Sequence, residues 1–140
     1  MTDKTRFDAY VAGDFRIPAN ESFGFERLET EDPKQGVSFR WAVPNEYVNS
    51  AGNLQGGVLA AFIDATLGAT CAAHMPADHY PALAEMKISF LRPARAGTTI
   101  TATGRVLKSG ARLLFVEAEV TDADGKLLAK VTGTEIPAPA

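Results

Sequence analysis

The sequence predicts an α+β fold in which an antiparallel sheet of about six strands wraps around one long central helix, with a short helix at the N-terminus. Three observations predict it. Residues 54–75 form an apolar stretch in which Asp64 is the only Asp, Glu, Lys or Arg. After Pro81, apolar and polar residues alternate with period two in four separate segments. The 140 residues are 46% hydrophobic, which is enough for one buried core.

The composition limits the classes of protein to which this chain can belong. Its 14 Lys and Arg residues against 17 Asp and Glu residues give a net charge of -3, which disfavours a non-specific nucleic-acid binder. The one cysteine, Cys71, excludes an internal disulfide framework and a multi-cysteine metal site. The charged N-terminus MTDKTRFDAY lacks the apolar core of a secretory signal, so we expect a cytoplasmic protein. We expect a single domain over 1–140, with an N-terminal extension at 1–20 and the core at 22–136.

Short elements are expected before the apolar stretch. A helix is predicted around residues 7–11, with Gly13 and Pro18 ending it. Two short strands are predicted at 22–28 and 36–43, separated by the polar turn TEDPKQG.

The apolar stretch at 54–75 is predicted to be the central helix. If fully helical it is about 33 Å long, which would span a small domain. Apolar residues occupy nearly every side of this helix, so other structure should surround it. Its polar residues and the lack of an uninterrupted apolar run of about 18 residues make it a poor membrane span, and Pro76 ends it.

The four alternating segments are predicted to be the remaining strands. The turn-rich connections PARAG, LKSGA and TDADG are short, so the last three strands should form an antiparallel meander. An antiparallel sheet curled around one buried helix explains both patterns, and this arrangement is known as the hotdog fold. The four segments lie at 86–90, 99–106, 114–120 and 126–132.

Asp64 is the first candidate for chemistry. An ionised carboxylate in a buried helix is costly unless it is paired, solvated or needed for function. Its neighbours, AAFI before it and ATLGA after it, supply no cationic partner. A purely structural role, with the carboxylate reaching solvent or bonding to a neighbouring strand, is the alternative.

The second candidate is the start of the helix at Gln55, Gly56 and Gly57. Paired glycines weaken a helix by roughly 1 kcal/mol each relative to Ala, although they also permit a tight turn into the helix. The missing side chains would let a ligand reach the free backbone N–H groups, where the helix dipole favours negative charge. Such a site suits a carbonyl oxygen that becomes an oxyanion.

Helix geometry separates these two candidates. Gly57 and Asp64 are seven residues apart, so they share a helix face but lie about 10 Å apart along the axis. One carbonyl group cannot reach both. If they cooperate, Asp64 must come from a second copy of the helix that runs roughly antiparallel, which predicts two equivalent sites in a two-fold dimer.

The sequence around these residues resembles a known family. The run NSAGNLQGGVLAAFIDATLGA is similar to the N-x-x-G-x-x-H-G-G-(x)6-D signature of hotdog-fold acyl-CoA thioesterases of the PaaI type, in the thioesterase superfamily. The segment EMKISFLRPARAG resembles the family's strand that follows the helix. The resemblance covers roughly 22–136. The matching positions are Asn49, Gly52, Gln55, Gly56, Gly57 and Asp64.

The resemblance implies an enzyme without a metal or organic cofactor that hydrolyses an acyl-CoA, with an aryl-acetyl or a short to medium acyl group. Asp64 would be the catalytic carboxylate, as general base or as nucleophile. The Gly56 N–H, assisted by Gly57, would polarise the thioester carbonyl of a substrate bound across the interface of a homodimer or a dimer of dimers. Asn49 would position the carbonyl or the attacking water.

Two positions depart from the family pattern. Gln55 stands where the family usually has His, and it can still donate and accept hydrogen bonds there. Leu83 stands where many relatives carry a hydroxyl, so Thr66 or Thr70 would have to supply any such group. The departures motivate an alternative function, a non-catalytic acyl-CoA-binding or regulatory protein. A dehydratase is disfavoured because neither His74 nor His79 lies in the motif.

Basic residues at strand ends and turns are candidates for binding the phosphates of CoA. Cys71 and His74, three residues apart on an apolar helix, are interpreted as packing residues rather than a nucleophile and its base. The histidines lack a third metal ligand at a recognisable spacing, so no metal site is predicted. The basic candidates are Arg92, Arg95, Lys108 and Arg112.

Overall fold

The structure is a computed structural model that describes residues 4–140. Three α-helices, one short 3-10 turn at Asn45–Tyr47 and six strands follow one another along this part of the chain. The helices are α1 (Arg6–Val11), α2 (Pro18–Phe23) and α3 (Gly56–Ala72). The strands are β1 (Glu26–Arg27), β2 (Val37–Ala42), β3 (His79–Phe90), β4 (Thr99–Ser109), β5 (Leu114–Asp122) and β6 (Leu127–Pro139).

The six strands form one antiparallel sheet in the order β1-β2-β4-β5-β6-β3. Strands β4, β5 and β6 are the predicted meander, and β3 pairs with β6, for example at Ile88 and Val131. The sheet curls around α3, whose Phe62, Ile63 and Leu67 have no exposed surface. The α+β hotdog fold predicted from the sequence is therefore confirmed.

Two glycines on the sheet let α3 approach its inner face closely. A Cβ atom on Gly104 of β4 would lie 2.3 Å from Thr70 Oγ1. A Cβ atom on Gly133 of β6 would lie 3.1 Å from Leu67 Cδ1. Because real Cβ atoms do not approach other heavy atoms as closely as the first distance, a side chain at residue 104 would push the helix away from the sheet.

The N-terminal segment is partly as predicted. The predicted helix at 7–11 is confirmed as α1, which begins with a capping box between Thr5 and Asp8. The predicted strand at 22–28 is wrong in its first half, because α2 occupies Pro18–Phe23 and only Glu26–Arg27 pair with β2. Pro at the first helical position and Gly24 in a left-handed conformation (φ 80°) at the end define this helix.

The other boundaries shift by a few residues. The helix predicted at 54–75 covers 56–72, because Leu54 is extended and donates its backbone N–H to the Ala94 carbonyl at 2.7 Å. Strand β3 begins at His79, earlier than expected, and includes Pro81. In the described part of the chain, no helix is long and apolar enough to cross a membrane.

Candidate active site

The start of α3 presents two backbone amides that have no acceptor in the described part of the chain. The Gln55 N–H donates to the Tyr47 carbonyl at 2.9 Å, and the Gln55 carbonyl accepts from the N–H groups of Val58 and Leu59, each at 3.0 Å. Among residues 4–140, neither the Gly56 nor the Gly57 N–H donates a hydrogen bond. These donors lie at the positive end of the helix dipole, where a developing negative charge is stabilised.

The loop before α3 is held by Asn49. Its side-chain Oδ1 accepts hydrogen bonds from the backbone N–H groups of Ala51 at 3.0 Å and Asn53 at 3.2 Å. Its backbone N–H donates to the Asn53 carbonyl at 2.7 Å, and Gly52 has a positive φ of 78°. The oxygen of Asn49 thus organises the loop, and because the residue is exposed, its Nδ2 group is the part that can donate to a ligand.

Phe90 lies against the helix start. Its ring atom Cζ would be 3.5 Å from a Cβ atom placed on Gly56, and 55% of the residue is exposed. A Cβ on Gly57 would meet no heavy atom of the described residues within 4 Å. The aromatic ring therefore covers one side of the Gly56 backbone and leaves the Gly57 side open.

Asp64 lies on the face of α3 that the sheet leaves uncovered. Gly57 and Asp64 are both exposed, whereas Ile63 and Leu67 beside Asp64 are fully buried. The Asp64 carboxylate makes no ion pair with any described residue. Partial burial raises its pKa from the ordinary value, because the neighbouring groove walls remove part of its hydration although the residue as a whole remains open to solvent.

The helix that carries both groups also keeps them apart. Because α3 is continuous from Gly56 to Ala72, the Gly57 N–H and Asp64 are separated by about 10 Å along its axis. A single chain therefore does not bring Asp64 and the glycine amides to one reacting atom.

A groove of about 410 Å³ runs between the N-terminal segment and the exposed face of α3, with Asp64 on its wall. Its two cations are already engaged: Arg6 lies 3.7 Å above the Phe15 ring, and Arg16 pairs with Glu21 at 2.7 Å. The sequence analysis did not find this groove, because its walls come from distant parts of the chain. Apolar lining residues are Phe15, Ile17, Phe23, Ala61, Gly68 and Tyr80.

The threonines on α3 point into the core. Thr66 and Thr70 are 0% and 1% exposed. The Thr66 hydroxyl donates to the Phe62 carbonyl at 3.1 Å, and the Thr70 hydroxyl donates to the Thr66 carbonyl at 2.7 Å. Neither hydroxyl reaches the groove, so the expectation that Thr66 contacts a substrate is opposed by its burial.

The four candidate cations are all exposed but are not brought together. Arg92 and Arg95 follow β3, and Arg95 forms a bridge with Asn53, close to the helix start. Arg92 donates to the Leu127 carbonyl at 2.8 Å. Lys108 and Arg112 lie at the β4–β5 hairpin, whose Ser109 borders a cleft shared with His74, beyond the other end of α3.

Glu135 on β6 is the residue that the sequence analysis missed. It is 1% exposed, and neither carboxyl oxygen has a hydrogen-bond partner among the described residues. Burial first, and the charge of Asp64 second, raise its pKa to about 8. The strand predicted from the sequence ends at residue 132; the same alternation continued by three residues places Gly133 and Glu135 on the inner face.

Cys71 is a buried thiol. Burial first, and the charge of Glu135 second, raise its pKa, which disfavours the thiolate needed for nucleophilic attack. This agrees with its interpretation as a packing residue.

Comparison with known proteins identifies the family. The model of the thioesterase superfamily matches residues 51–129. A protein of Saccharolobus solfataricus named "Putative esterase SSO2140" is 38% identical over 89 residues, which are 64% of this chain and 62% of that protein. Human acyl-coenzyme A thioesterase 13 is 34% identical over 92 residues, which are 63% of each chain. The chain thus spans less than two thirds of the length of these relatives.

A solved structure agrees with the fold over the whole chain. The PaaI protein from the phenylacetic acid degradation operon of Escherichia coli superimposes with a TM-score of 0.85 at 18% identity, covering 100% of this chain and 98% of that one. The superposition extends to the N-terminal segment, which the family model does not cover. Since the family model itself covers more than half of the residues, this chain belongs to the thioesterase superfamily.

Proposed function

We propose that this protein is an acyl-CoA thioesterase that works as a homodimer. One observation carries the proposal: α3 holds two amides at its start and a carboxylate two turns later that have no partner among residues 4–140. The amides can stabilise an oxyanion, and the carboxylate can activate water or attack the thioester carbon itself. The name of human acyl-coenzyme A thioesterase 13 supports acyl-CoA as the substrate class.

The reaction needs groups from two chains. Because about 10 Å separates the amides from Asp64 in one chain, the thioester carbonyl would lie on Gly56 and Gly57 of one copy and beside Asp64 of a second copy. Strand β3 supports such an assembly, because it is a 12-residue edge strand that carries the exposed side chains of Tyr80, Leu83 and Phe90. A two-fold axis then gives two equivalent sites.

Asn49, Gln55, Arg92 and Arg95 have roles that their positions allow. The Asn49 Nδ2 group and the exposed Gln55 side chain can donate to the thioester oxygen or to water. Arg95, which lies near the helix start, and Arg92, three residues before it, are the cations that we assign to the CoA phosphates. The raised pKa of Asp64 makes its ionised form a stronger base, and the CoA thiolate leaves without a strong general acid.

The groove beside Asp64 would take the acyl group. Its volume of about 410 Å³ and its aromatic and aliphatic walls fit an aryl-acetyl or a short to medium acyl chain. The phenylacetic acid operon of the similar E. coli protein points to the same class of acyl group.

The test is free-thiol release from a panel of aromatic and aliphatic acyl-CoAs. The Asp64→Asn variant should lose at least about 100-fold in kcat, because it lacks the carboxylate. The matched control is Asp124→Asn, in the exposed β5–β6 turn, which should keep the wild-type rate. Hydrolysis by Asp64→Asn at the wild-type rate would contradict the role of Asp64.

A second candidate function is acyl-CoA binding without turnover. Gln55 favours it, because a side chain without a titratable group stands beside the amides where the family usually has His. Stoichiometric binding of a non-hydrolysable acyl-CoA, with no thiol release from any member of the panel, would establish this function instead.

A further inference from the structure

Glu135 is buried although its side chain carries a carboxyl group. It lies on β6 between two cross-strand neighbours, Leu83 of β3 and Leu114 of β5, and it is 1% exposed. Both of its carboxyl oxygens lack a hydrogen-bond partner among residues 4–140. Burying a carboxyl group without a hydrogen-bond partner lowers the stability of the fold, and an apolar side chain of similar size at this position would make the fold more stable.

The packing of β6 against α3 places Glu135 near the part of the helix that carries Asp64. Gly133, two residues earlier on the same face of β6, lies under Leu67 of α3. Asp64 and Cys71 are seven residues apart, so they flank this point on one side of the helix. The charge of Asp64 acts on Glu135, and the charge of Glu135 acts on Cys71, as expected for a carboxyl group that lies between them.

No described cation compensates Glu135. Asp64 of α3 is the charged group that acts on Glu135, and Glu135 in turn acts on the Cys71 thiol. Its neighbours Leu83 and Leu114 on the adjacent strands carry no charge. Two carboxylates in one uncompensated site do not both ionise easily, so one proton stays on the pair. The fully buried member, Glu135, retains it, and Asp64 beside the open groove is the charged member.

We propose that Glu135 is a positioning residue for Asp64: it remains a neutral carboxylic acid whose O–H orients the Asp64 carboxylate through one bridging water. This proposal rests on the catalytic role proposed for Asp64. The unsatisfied O–H of Glu135 donates to this water, the water donates to the ionised Asp64 carboxylate, and Asp64 gains a fixed orientation toward the groove.

This arrangement predicts that the rate of hydrolysis first rises and then falls as the pH increases. The rate rises as Asp64 ionises, because the carboxylate is the reactive form. It falls at alkaline pH, because an ionised Glu135 no longer donates and adds a second negative charge beside Asp64. The pKa of Glu135, about 8, sets the alkaline limb.

Two substitutions separate this role from simple packing. Glu135→Gln keeps a neutral donor, so we expect kcat within about threefold of wild type at pH 7 and no loss above pH 8. Glu135→Met fills the site without a donor, so we expect about a tenfold lower kcat with KM within about twofold. Glu119→Gln, on the outer face of β5, is the matched control and should keep the wild-type profile.

A readout independent of activity completes the test. The pKa of Asp64, followed through its side-chain ¹³C resonance, should be higher in Glu135→Met than in wild type or Glu135→Gln, because the donor that favours the carboxylate is gone. An unchanged Asp64 pKa in Glu135→Met, or equal rates of the Met and Gln variants at every pH, would overturn the proposal.

Different results would contradict the proposed function and the proposal for Glu135. If Asp64→Asn remains active, the proposed function fails, while the ¹³C titration still decides whether Glu135 acts on Asp64. If Glu135→Met does not fold, the comparison of Glu135→Gln with wild type at pH 9 decides the matter. Equal loss of rate in these two proteins would then overturn the proposal.

Discussion

The indole N–H of Trp41 donates a hydrogen bond to the backbone carbonyl of Phe23 at 2.9 Å. This contact ties the end of α2 to β2. The Phe23 ring stacks on Phe25 with 4.9 Å between centroids, and Phe25 meets the edge of Trp41 at the same distance. The aromatic cluster thereby fixes the N-terminal segment as one wall of the groove that Asp64 lines.

Trp41→Phe should loosen this wall. The substitution removes the hydrogen bond and leaves a cavity, so we expect a loss of about 1–3 kcal/mol in the free energy of unfolding. Urea denaturation measures it. The preference among acyl-CoA chain lengths should broaden in the same variant. An unchanged chain-length preference would show that α2 does not shape the acyl site.

Substitutions of Asn49 should separate its loop role from its ligand role. Asn49→Asp keeps the oxygen that accepts from Ala51 and Asn53, so the melting temperature should change little. It removes the Nδ2 donor, so kcat should fall about tenfold or more. Asn49→Ala loses both groups and should lower stability by about 1 kcal/mol as well. Equal activity of Asn49→Asp and wild type would restrict Asn49 to a structural role.

Alanine at the start of α3 should change activity and stability in opposite directions. Ala favours a helix over Gly by up to about 1 kcal/mol, and the Cβ of Gly56→Ala would only contact the Phe90 ring at an ordinary distance of 3.5 Å. We therefore expect a melting temperature that is equal or higher and a kcat that is lower, because the methyl group crowds the carbonyl site. Gly57→Ala, which meets open space in this chain, is the companion variant.

Gly104→Ala should destabilise the fold itself. Its Cβ would lie 2.3 Å from Thr70 Oγ1, so α3 or β4 must move, at a cost of about 1–3 kcal/mol. Thr70→Ala removes the clashing atom. The double variant should therefore be more stable than the sum of the two single losses, and a double-mutant cycle in urea measures the difference. Strict additivity would mean that the two residues do not meet.

Glu135 should make the stability of the protein depend on pH. Its pKa is raised from 4.5 to about 8 in the folded state, so the folded chain binds this proton more tightly than the unfolded chain. The stabilisation is fully present below pH 4.5 and is lost as the pH rises through about 8, at up to about 1.4 kcal/mol per pH unit.

Melting curves between pH 4 and 9 test this dependence. Glu135→Gln should match wild type near pH 4 and exceed it at pH 9, whereas Glu119→Gln should follow wild type throughout. Parallel curves for wild type and Glu135→Gln would contradict the assigned titration.

The central helix and the four later strands could be predicted because their patterns are local. The alternation with period two and the apolar stretch with one charged residue can each be recognised within one segment of the sequence, without knowing what that segment packs against. The segment at 22–28 misled the prediction because Phe23 and Phe25 alternate with smaller or polar residues as in a strand, whereas Pro18 and Gly24 delimit a helix over its first part. The capping residues outweighed the alternation there.

The site was predictable only in part, because some of its residues are placed by local spacing and others by long-range pairing. Asp64 and the glycine pair lie on one continuous helix, so their spacing follows from sequence separation alone. The neighbourhood of Glu135 depends on how β6 registers with β3 and β5, which is set by long-range pairing. The burial of Thr66 likewise depends on which side of α3 the sheet covers.

The groove is built from two stretches of chain, one before the region that matches the family model and one inside it. Phe15, Ile17 and Phe23 precede residue 51, where the match to the family model begins, whereas Asp64 and the glycine amides lie inside it. Substitutions in the first stretch can therefore resize the groove without altering the spacing between the carboxylate and the amides. If the groove holds the acyl group, the choice of substrate can diversify among relatives while the chemistry stays fixed.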